Sequence, residues 1–196
     1  ITVCFNSEKT IERTIISVLS QSYQDFEYII VDGASTDGTL SIIEKYIEEY
    51  PNKIKLISEK DNGIYDAMNK GIRMASGHLI GIVNSDDYYE IDALKNISEA
   101  YDGEKYEIIY GMLRTIKDDK EVSVYIKNHL WLDEDMITHP TCFVTKEIYE
   151  DFGAYSLEYR YSADYEFMLR MSRRTQVIFK PVYKIISNFS VEGASG

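Results

Sequence analysis

Strand-like apolar runs alternate with helix-like periodicity through the first half of this chain, and that alternation restricts the fold more than any other feature. Runs at residues 1–5, 26–31 and 54–58, and a fourth from Leu79, are each followed by a turn and a helical pattern. Consecutive units of this kind build an α/β layer on a mainly parallel, Rossmann-like sheet flanked by helices. After the first run, Ser7 is placed to cap a helix whose Ile11, Ile15, Val18 and Leu19 share one face. After the second, the turn Asp32-Gly33-Ala34-Ser35-Thr36-Asp37-Gly38 leads into a helix with Leu40, Ile43 and Ile47 facing inward, and a third helix is expected at about residues 65–74.

Beyond about residue 100 the rhythm breaks. Residues 107–116 and 122–125 read as antiparallel strands joined by the charged turn Lys117-Asp118-Asp119-Lys120. A short strand at 142–145, a helix from Lys146, a helix at 163–174 capped by Ser162, and a strand at 177–179 complete the pattern. At 196 residues and 44% apolar content, the chain suits one domain, spanning 1–196, with a regular half (1–100) and a smaller antiparallel half (101–196). Ile1 already lies inside an apolar run, and Val191 to Gly196 resemble the start of a loop. The chain is therefore expected to be a fragment lacking its extreme N terminus and a C-terminal extension.

Charge and cysteine usage narrow the function. With 33 acids against 21 bases, the net charge of −12 argues against a nucleic-acid partner or a polybasic membrane patch, because phosphate backbones need a positive footprint. No apolar run approaches the roughly 18 residues of a membrane span. Cys4 and Cys142 are far apart and lack CxxC spacing, so neither a disulfide framework nor a zinc site is indicated. A cytoplasmic location is expected.

The acids fall where a ligand would. In an open parallel sheet, ligands bind outside the carboxyl ends of the strands. Asp32 follows the second strand, Asp61 the third, and Asp86 with Asp87 the fourth. Single Asp residues in turns are ordinary, and Asp37 and Asp102 need no further account. Two adjacent carboxylates repel each other, and a cation between them relieves that repulsion. Oxygen ligands without His or Cys suit Mg²⁺ or Mn²⁺, and Mg²⁺ commonly takes one or two carboxylates and completes its shell with water and substrate phosphates. Other phosphate motifs fail: Gly33 to Gly38 has Walker-like spacing, but Thr39-Leu40 replace the required Lys-Ser/Thr, and no GxGxxG follows the first strand.

Five ordered stretches, ITVCFN, FEYIIVDGASTDGT, EKDNGIYDAMNKGI, GHLIGIVNSDD and YSADYEFMLRMS, resemble the motifs of family 2 glycosyltransferases of the GT-A fold. The resemblance runs from Ile1 to about Arg174, and the tail NFSVEGASG is similar to the family's loop after the core. It implies an inverting transferase that moves a sugar from a nucleoside diphosphate donor to an acceptor hydroxyl, in polysaccharide or glycan biosynthesis. By that resemblance Val3 and Asp32 line the base pocket and Asp61 forms its far wall. Asp86 binds the ribose side and Asp87 ligates a divalent cation, Mn²⁺ or Mg²⁺, the pair acting as the DxD-type motif with Asp86 also at the metal. Asp164 is the general base.

The chain departs from the family pattern in three places. Asp32-Gly33 replaces the usual Asp-Asp, Ala163-Asp164 replaces Glu-Asp, and Met68 stands where many relatives carry Arg before the Asn. A UDP-linked donor is expected, with the base left open by Met68. The acceptor implied is a saccharide or lipid-linked saccharide, with peripheral membrane association if it is lipid-linked. Two other functions fit the acids less fully: a non-catalytic sugar-nucleotide-binding or scaffold domain, and a cation-dependent phosphoryl hydrolase. The hydrolase wants an acid at the end of the first strand, where this chain has Asn6 and Ser7.

Overall fold

A computed structural model describes residues 1–191. Residues 192–196, most of the expected terminal loop, lie outside the described residues. The regular half runs β1 (Thr2–Cys4), α1 (Ile11–Leu19), β2 (Tyr28–Asp32), α2 (Thr39–Glu49), β3 (Ile54–Ser58), α3 (Ile64–Met74), β4 (Leu79–Gly81), β5 (Tyr88–Tyr89) and α4 (Ala93–Ala100). The irregular half contains β6 (Glu107–Lys117), β7 (Lys120–Tyr125), β8 (Phe143–Thr145), α5 (Lys146–Phe152), α6 (Ala163–Ser172) and β9 (Ile178–Ser190).

Strands β1, β2 and β3 are parallel, with Val3 opposite Val31 and Ile30 opposite Leu56. The fourth run departs from expectation. Its strand is short and pairs antiparallel with β8, Ile80 facing Val144, so the sheet is mixed. Its continuation still lies beside the first strand: the Ile1 nitrogen donates to the Gly81 carbonyl at 2.8 Å, and the Val83 N–H donates to the Ile1 carbonyl at 3.0 Å. These bonds join the parallel sheet to the order β4-β8-β6-β9-β5, in which β6 and β9 are parallel and β7 extends the far half of β6.

β2 shows why this half folds as it does. All five of its residues are buried, which a strand covered on both faces requires. Ile29 and Val31 face a cluster containing α3 and α6 residues such as Met68, Phe167 and Met168, while Tyr28 and Ile30 face Ile11 and Ile15 of α1 and Ile43 of α2. Period-two alternation thus supplies two cores from one strand.

Three boundaries moved. α1 starts at Ile11 with Thr10 at its cap, because the Ser7 carbonyl first closes a turn with the N–H groups of Thr10 and Ile11. Ser162 makes no side-chain cap, although its carbonyl accepts from the Glu166 N–H, and α6 ends at Ser172. The strand expected at 177–179 continues to Ser190, so Asn188-Phe189-Ser190 belong to the sheet and not to a loop. The charged turn behaves as expected: Asp118 and Asp119 have φ of 49° and 55°, the left-handed pair that a tight hairpin demands.

Candidate active site

The ends of β1, β2 and β3 are locked together by side chains. Asn6 accepts from the Thr36 N–H at 2.8 Å, Ser35 Oγ accepts from the Asn6 N–H at 2.8 Å, and Glu8 accepts from the Gly38 N–H at 2.8 Å. Asp37, read as ordinary turn chemistry, accepts from both the N–H and the hydroxyl of Thr39. These bonds leave Phe5 at the edge, 62% exposed. Val3, expected in the base pocket, is buried in the core with Ile29 and Tyr65, so Phe5 is the β1-side residue whose side chain faces outward there.

The strand-end acids separate sharply. Asp32 is fully buried, and its carboxylate accepts from the Ser35 N–H at 3.0 Å, the Ser35 hydroxyl, the Ser58 hydroxyl at 2.7 Å and the Cys4 thiol at 3.7 Å. A carboxylate has about four acceptor positions. Those of Asp32 are therefore already occupied from within. Asp61 is half-buried, accepts from the Gly63 N–H at 2.9 Å, and lies so close above Gly33 that a Cβ there would be 2.6 Å from Asp61 Oδ2.

Asp86 and Asp87 sit in the loop between β4 and β5, which α1 and the end of β9 hold in place. The Thr14 hydroxyl lies 2.6 Å from the Asp87 carbonyl and 3.0 Å from that of Ser85, while Arg13 donates to the Asp86 carbonyl at 2.8 Å and to Ser190 Oγ at 2.7 Å. Asp86 is half-buried and Asp87 fully buried. Asp87 Oδ1 accepts from the Ser190 N–H, and Oδ2 is buried with no hydrogen-bond partner among the described residues. Burial, and then the Asp86 charge, push the Asp87 carboxyl up to about 8, against the opposing pull of the Ser190 N–H and Arg13. A cavity of about 300 Å³ opens here, lined by Lys9, Arg13, Asp86, Asp119 and Ser190 among others. A larger one, of about 590 Å³, is lined by Ile1, Tyr28, Ile80 and Tyr101 and includes none of the strand-end acids.

Asp164 lies in the first turn of α6, half-buried, where the helix dipole favours a carboxylate. The Tyr65 hydroxyl donates to Asp164 Oδ1 at 2.7 Å. That bond spans 99 residues and brings the acid to the start of α3, directly after the Asp61 loop.

The sequence model of glycosyl transferase family 2 matches residues 1–178. The chain belongs to that family. This family 2 chain is 28% identical over 189 residues to a PGL/p-HBAD biosynthesis glycosyltransferase of Mycobacterium bovis, covering 90% of the chain and 70% of that protein. It is also 28% identical over 197 residues to a chondroitin synthase of Escherichia coli, covering 96% of the chain and 28% of the synthase. Among solved structures it superposes on Staphylococcus aureus TarS 1–349 in complex with UDP at a TM-score of 0.78 and 22% identity, over 97% of this chain and 59% of that one. A mannosyltransferase of Pyrobaculum calidifontis in complex with GDP-Man and Mn²⁺ gives a TM-score of 0.72 at 20% identity, over 98% of this chain and 56% of that one. The chain thus spans little more than half of these two structures and a smaller share of the synthase. The fold is GT-A.

Phe5, Tyr65, Arg13 and Ser190 join the expected acids at the candidate site. Phe5 carried a usable signal, an aromatic at the mouth of the first strand, and Tyr65 stood inside the quoted EKDNGIYDAMNKGI stretch. Arg13 and Ser190 carried none, because the groups they meet, each other and the Asp86-Asp87 loop, are remote in sequence. No helix among the described residues is long and apolar enough to cross a membrane.

Proposed function

We propose that this family 2 chain is an inverting, divalent-cation-dependent glycosyltransferase acting on a nucleoside diphosphate sugar, UDP-linked in the first instance. The observation that carries the reading is the Tyr65–Asp164 bond, because it brings an acid from the irregular half to the start of α3, directly after the loop that carries Asp61. Phe5 offers a face on which a nucleobase can stack, and Asp61 offers an acceptor to its N–H groups. Asp32 acts from below, holding the Ser35 and Ser58 loops in position.

Among the described residues no group of three or more His, Cys, Asp or Glu side chains converges to hold a metal. The residues nonetheless fit one: two adjacent carboxylates, one with an orphaned buried oxygen, match a site in which substrate phosphates complete the shell. Asp86, the more open of the pair, and Asp87 Oδ2 would hold the cation, and Asp86 also faces the ribose. When bound, the cation neutralises charge developing on the departing diphosphate.

Asp164 does the proton work. As the acceptor oxygen bonds to the anomeric carbon, that carbon's bond to the phosphate oxygen breaks and its electron pair leaves with the diphosphate. The acceptor hydroxyl proton passes to Asp164. Attack opposite the leaving group inverts the anomeric centre. The acceptor in this reading is a saccharide or lipid-linked saccharide, and similarity to a chondroitin synthase and to a PGL/p-HBAD biosynthesis glycosyltransferase supports a place in glycan assembly.

Calorimetry with UDP-, GDP- and dTDP-sugars, with and without Mn²⁺, tests the reading. Mn²⁺-dependent binding of at least one donor is expected, followed by transfer in an acceptor screen. Binding without transfer or donor hydrolysis would favour a non-catalytic sugar-nucleotide-binding domain, and absence of any binding would remove both readings.

A further inference from the structure

Two side chains of α3 reach out of the regular half and grip the irregular half. Tyr65 donates its hydroxyl to Asp164 Oδ1 at 2.7 Å. One turn later, Asn69 makes a two-point clamp on the main chain of Tyr155: its Nδ2 donates to the Tyr155 carbonyl at 2.8 Å, and its Oδ1 accepts from the Tyr155 N–H at 3.0 Å. Spacing of i and i+4 places both on one face of the helix. Each is 8% exposed, so neither bond competes freely with water.

The clamped residue leads directly to the acid. Tyr155 is 4% exposed, and its ring packs on Tyr65 at 5.7 Å and on Phe167 at 5.2 Å. Phe167 stands three residues after Asp164 on α6 and is fully buried. The Tyr155 hydroxyl is held by His139 Nε2 at 2.8 Å. α3 therefore fixes both the segment entering α6 and the acid in its first turn.

We propose that Tyr65 and Asn69 are positioning residues for the transfer step, setting which oxygen of Asp164 meets the acceptor hydroxyl. With Oδ1 engaged by Tyr65, Oδ2 is the oxygen presented to substrate. Burial, and then the Asp164 carboxylate beside it, push the Tyr65 phenol above its ordinary range, so the phenol remains a donor and does not compete for the acceptor proton. Both amide groups of Asn69 are engaged with main chain, so its part is to hold the α6 approach and not to touch the sugar. The inference rests on the reading of Asp164 as the base. A displacement of about 1 Å in such a group costs on the order of a hundredfold in rate.

The test uses the full-length protein with the donor and acceptor that support turnover. Tyr65→Phe should lower kcat by about 10- to 100-fold while leaving donor Kd, donor KM and Tm close to wild type. Asn69→Ala should lower kcat and also Tm, because the clamp serves packing as well. In an Asp164→Asn background, Tyr65→Phe should have no further effect on residual turnover, since both act through one group. An Asp164→Asn protein that turns over normally sinks the base assignment itself, whatever Tyr65 does. An inactive Asp164→Asn beside a Tyr65→Phe of wild-type kcat overturns the positioning role alone. Loss of donor affinity or a large fall in Tm in Tyr65→Phe would also overturn it, reducing Tyr65 to a packing residue.

Discussion

The backbone N–H of Ser190 donates to Asp87 Oδ1 at 3.0 Å, tying the carboxylate loop to the last residue of β9 across 103 positions of sequence. One oxygen of Asp87 is thereby fixed, and the other is left buried without a partner among the described residues. An unmet buried acceptor costs about 1–3 kcal/mol, which a bound cation or a donor group would relieve.

Asp87→Asn keeps the size of the side chain and an oxygen for the Ser190 N–H. Its Tm should stay within a few degrees of wild type, while Mn²⁺-dependent donor affinity should fall by about tenfold or more. Calorimetry with and without Mn²⁺ reads this directly. Unchanged metal dependence in Asp87→Asn and in Asp86→Ala alike would take the cation away from this loop.

Gly33 directly follows Asp32 and lies beneath the Asp61 carboxylate. A Cβ there would lie 2.6 Å from Asp61 Oδ2, but that oxygen ends a flexible side chain and can swing aside. Gly33→Ala should therefore cost less than about 1 kcal/mol of stability. It should nonetheless raise the donor Kd by roughly tenfold, about 1.4 kcal/mol, by moving the carboxylate. A donor Kd equal to wild type would exclude Asp61 from the donor pocket.

Gly81 has no such freedom. A Cβ on it would meet the Phe143 ring at 2.3 Å, across the β4–β8 pair where the two residues are in register. Gly81→Ala should destabilise by about 1–3 kcal/mol, read as a shifted urea midpoint. In a double-mutant cycle with Phe143→Ala, the combined cost should be smaller than the sum of the two single costs, and strict additivity would show that the ring is not the obstacle.

Glu27 should contribute to stability against acid. Its Oε1 accepts from the Ser76 N–H at 2.5 Å, the Ser76 hydroxyl at 2.7 Å and the Gly77 N–H at 3.1 Å, and its Oε2 pairs with Lys55. Burial pushes this carboxyl up, but the hydrogen bonds from Lys55 and Ser76 outweigh it and hold it at about 2, against an ordinary 4.5. Since the folded value is the lower one, the stabilisation is complete above about 4.5 and is lost as pH falls through about 2. Glu27→Gln should flatten the dependence of the urea midpoint on pH over that window. A variant whose acid limb matches wild type would show that Glu27 is not the group responsible.

Local pattern made much of this molecule legible. The parallel order of β1, β2 and β3, the inward face of α1, the Asp118-Asp119 hairpin and the pairing of Asp86 with Asp87 all follow from periodicity and turn chemistry within a few residues, whereas on α2 Ile43 and Ile47 face the core as expected but Tyr46 takes the place read for Leu40. β9 was legible only at its start, because Lys180, Pro181 and Lys184 break the apolar pattern of a strand whose pairing comes from β6 alongside it. The antiparallel placement of β4 had no local signal either, since an apolar run has the same composition whichever way its neighbour points.

The acids show the division most clearly. In sequence, Asp32, Asp61 and Asp87 are equivalent: each follows an apolar run and opens a turn. Tertiary packing then surrounded Asp32 with donors from Ser35, Ser58 and Cys4, left Asp61 half-open above a glycine, and buried Asp87 with one oxygen unmet. It also carried Asp164 across 99 residues to Tyr65. The residue types at the strand ends are a local matter, because strand period and turn preference are properties of neighbouring residues. Which of those carboxylates is saturated, open or poised was decided only in three dimensions, because hydrogen bonding and burial depend on groups that the chain brings together from far apart.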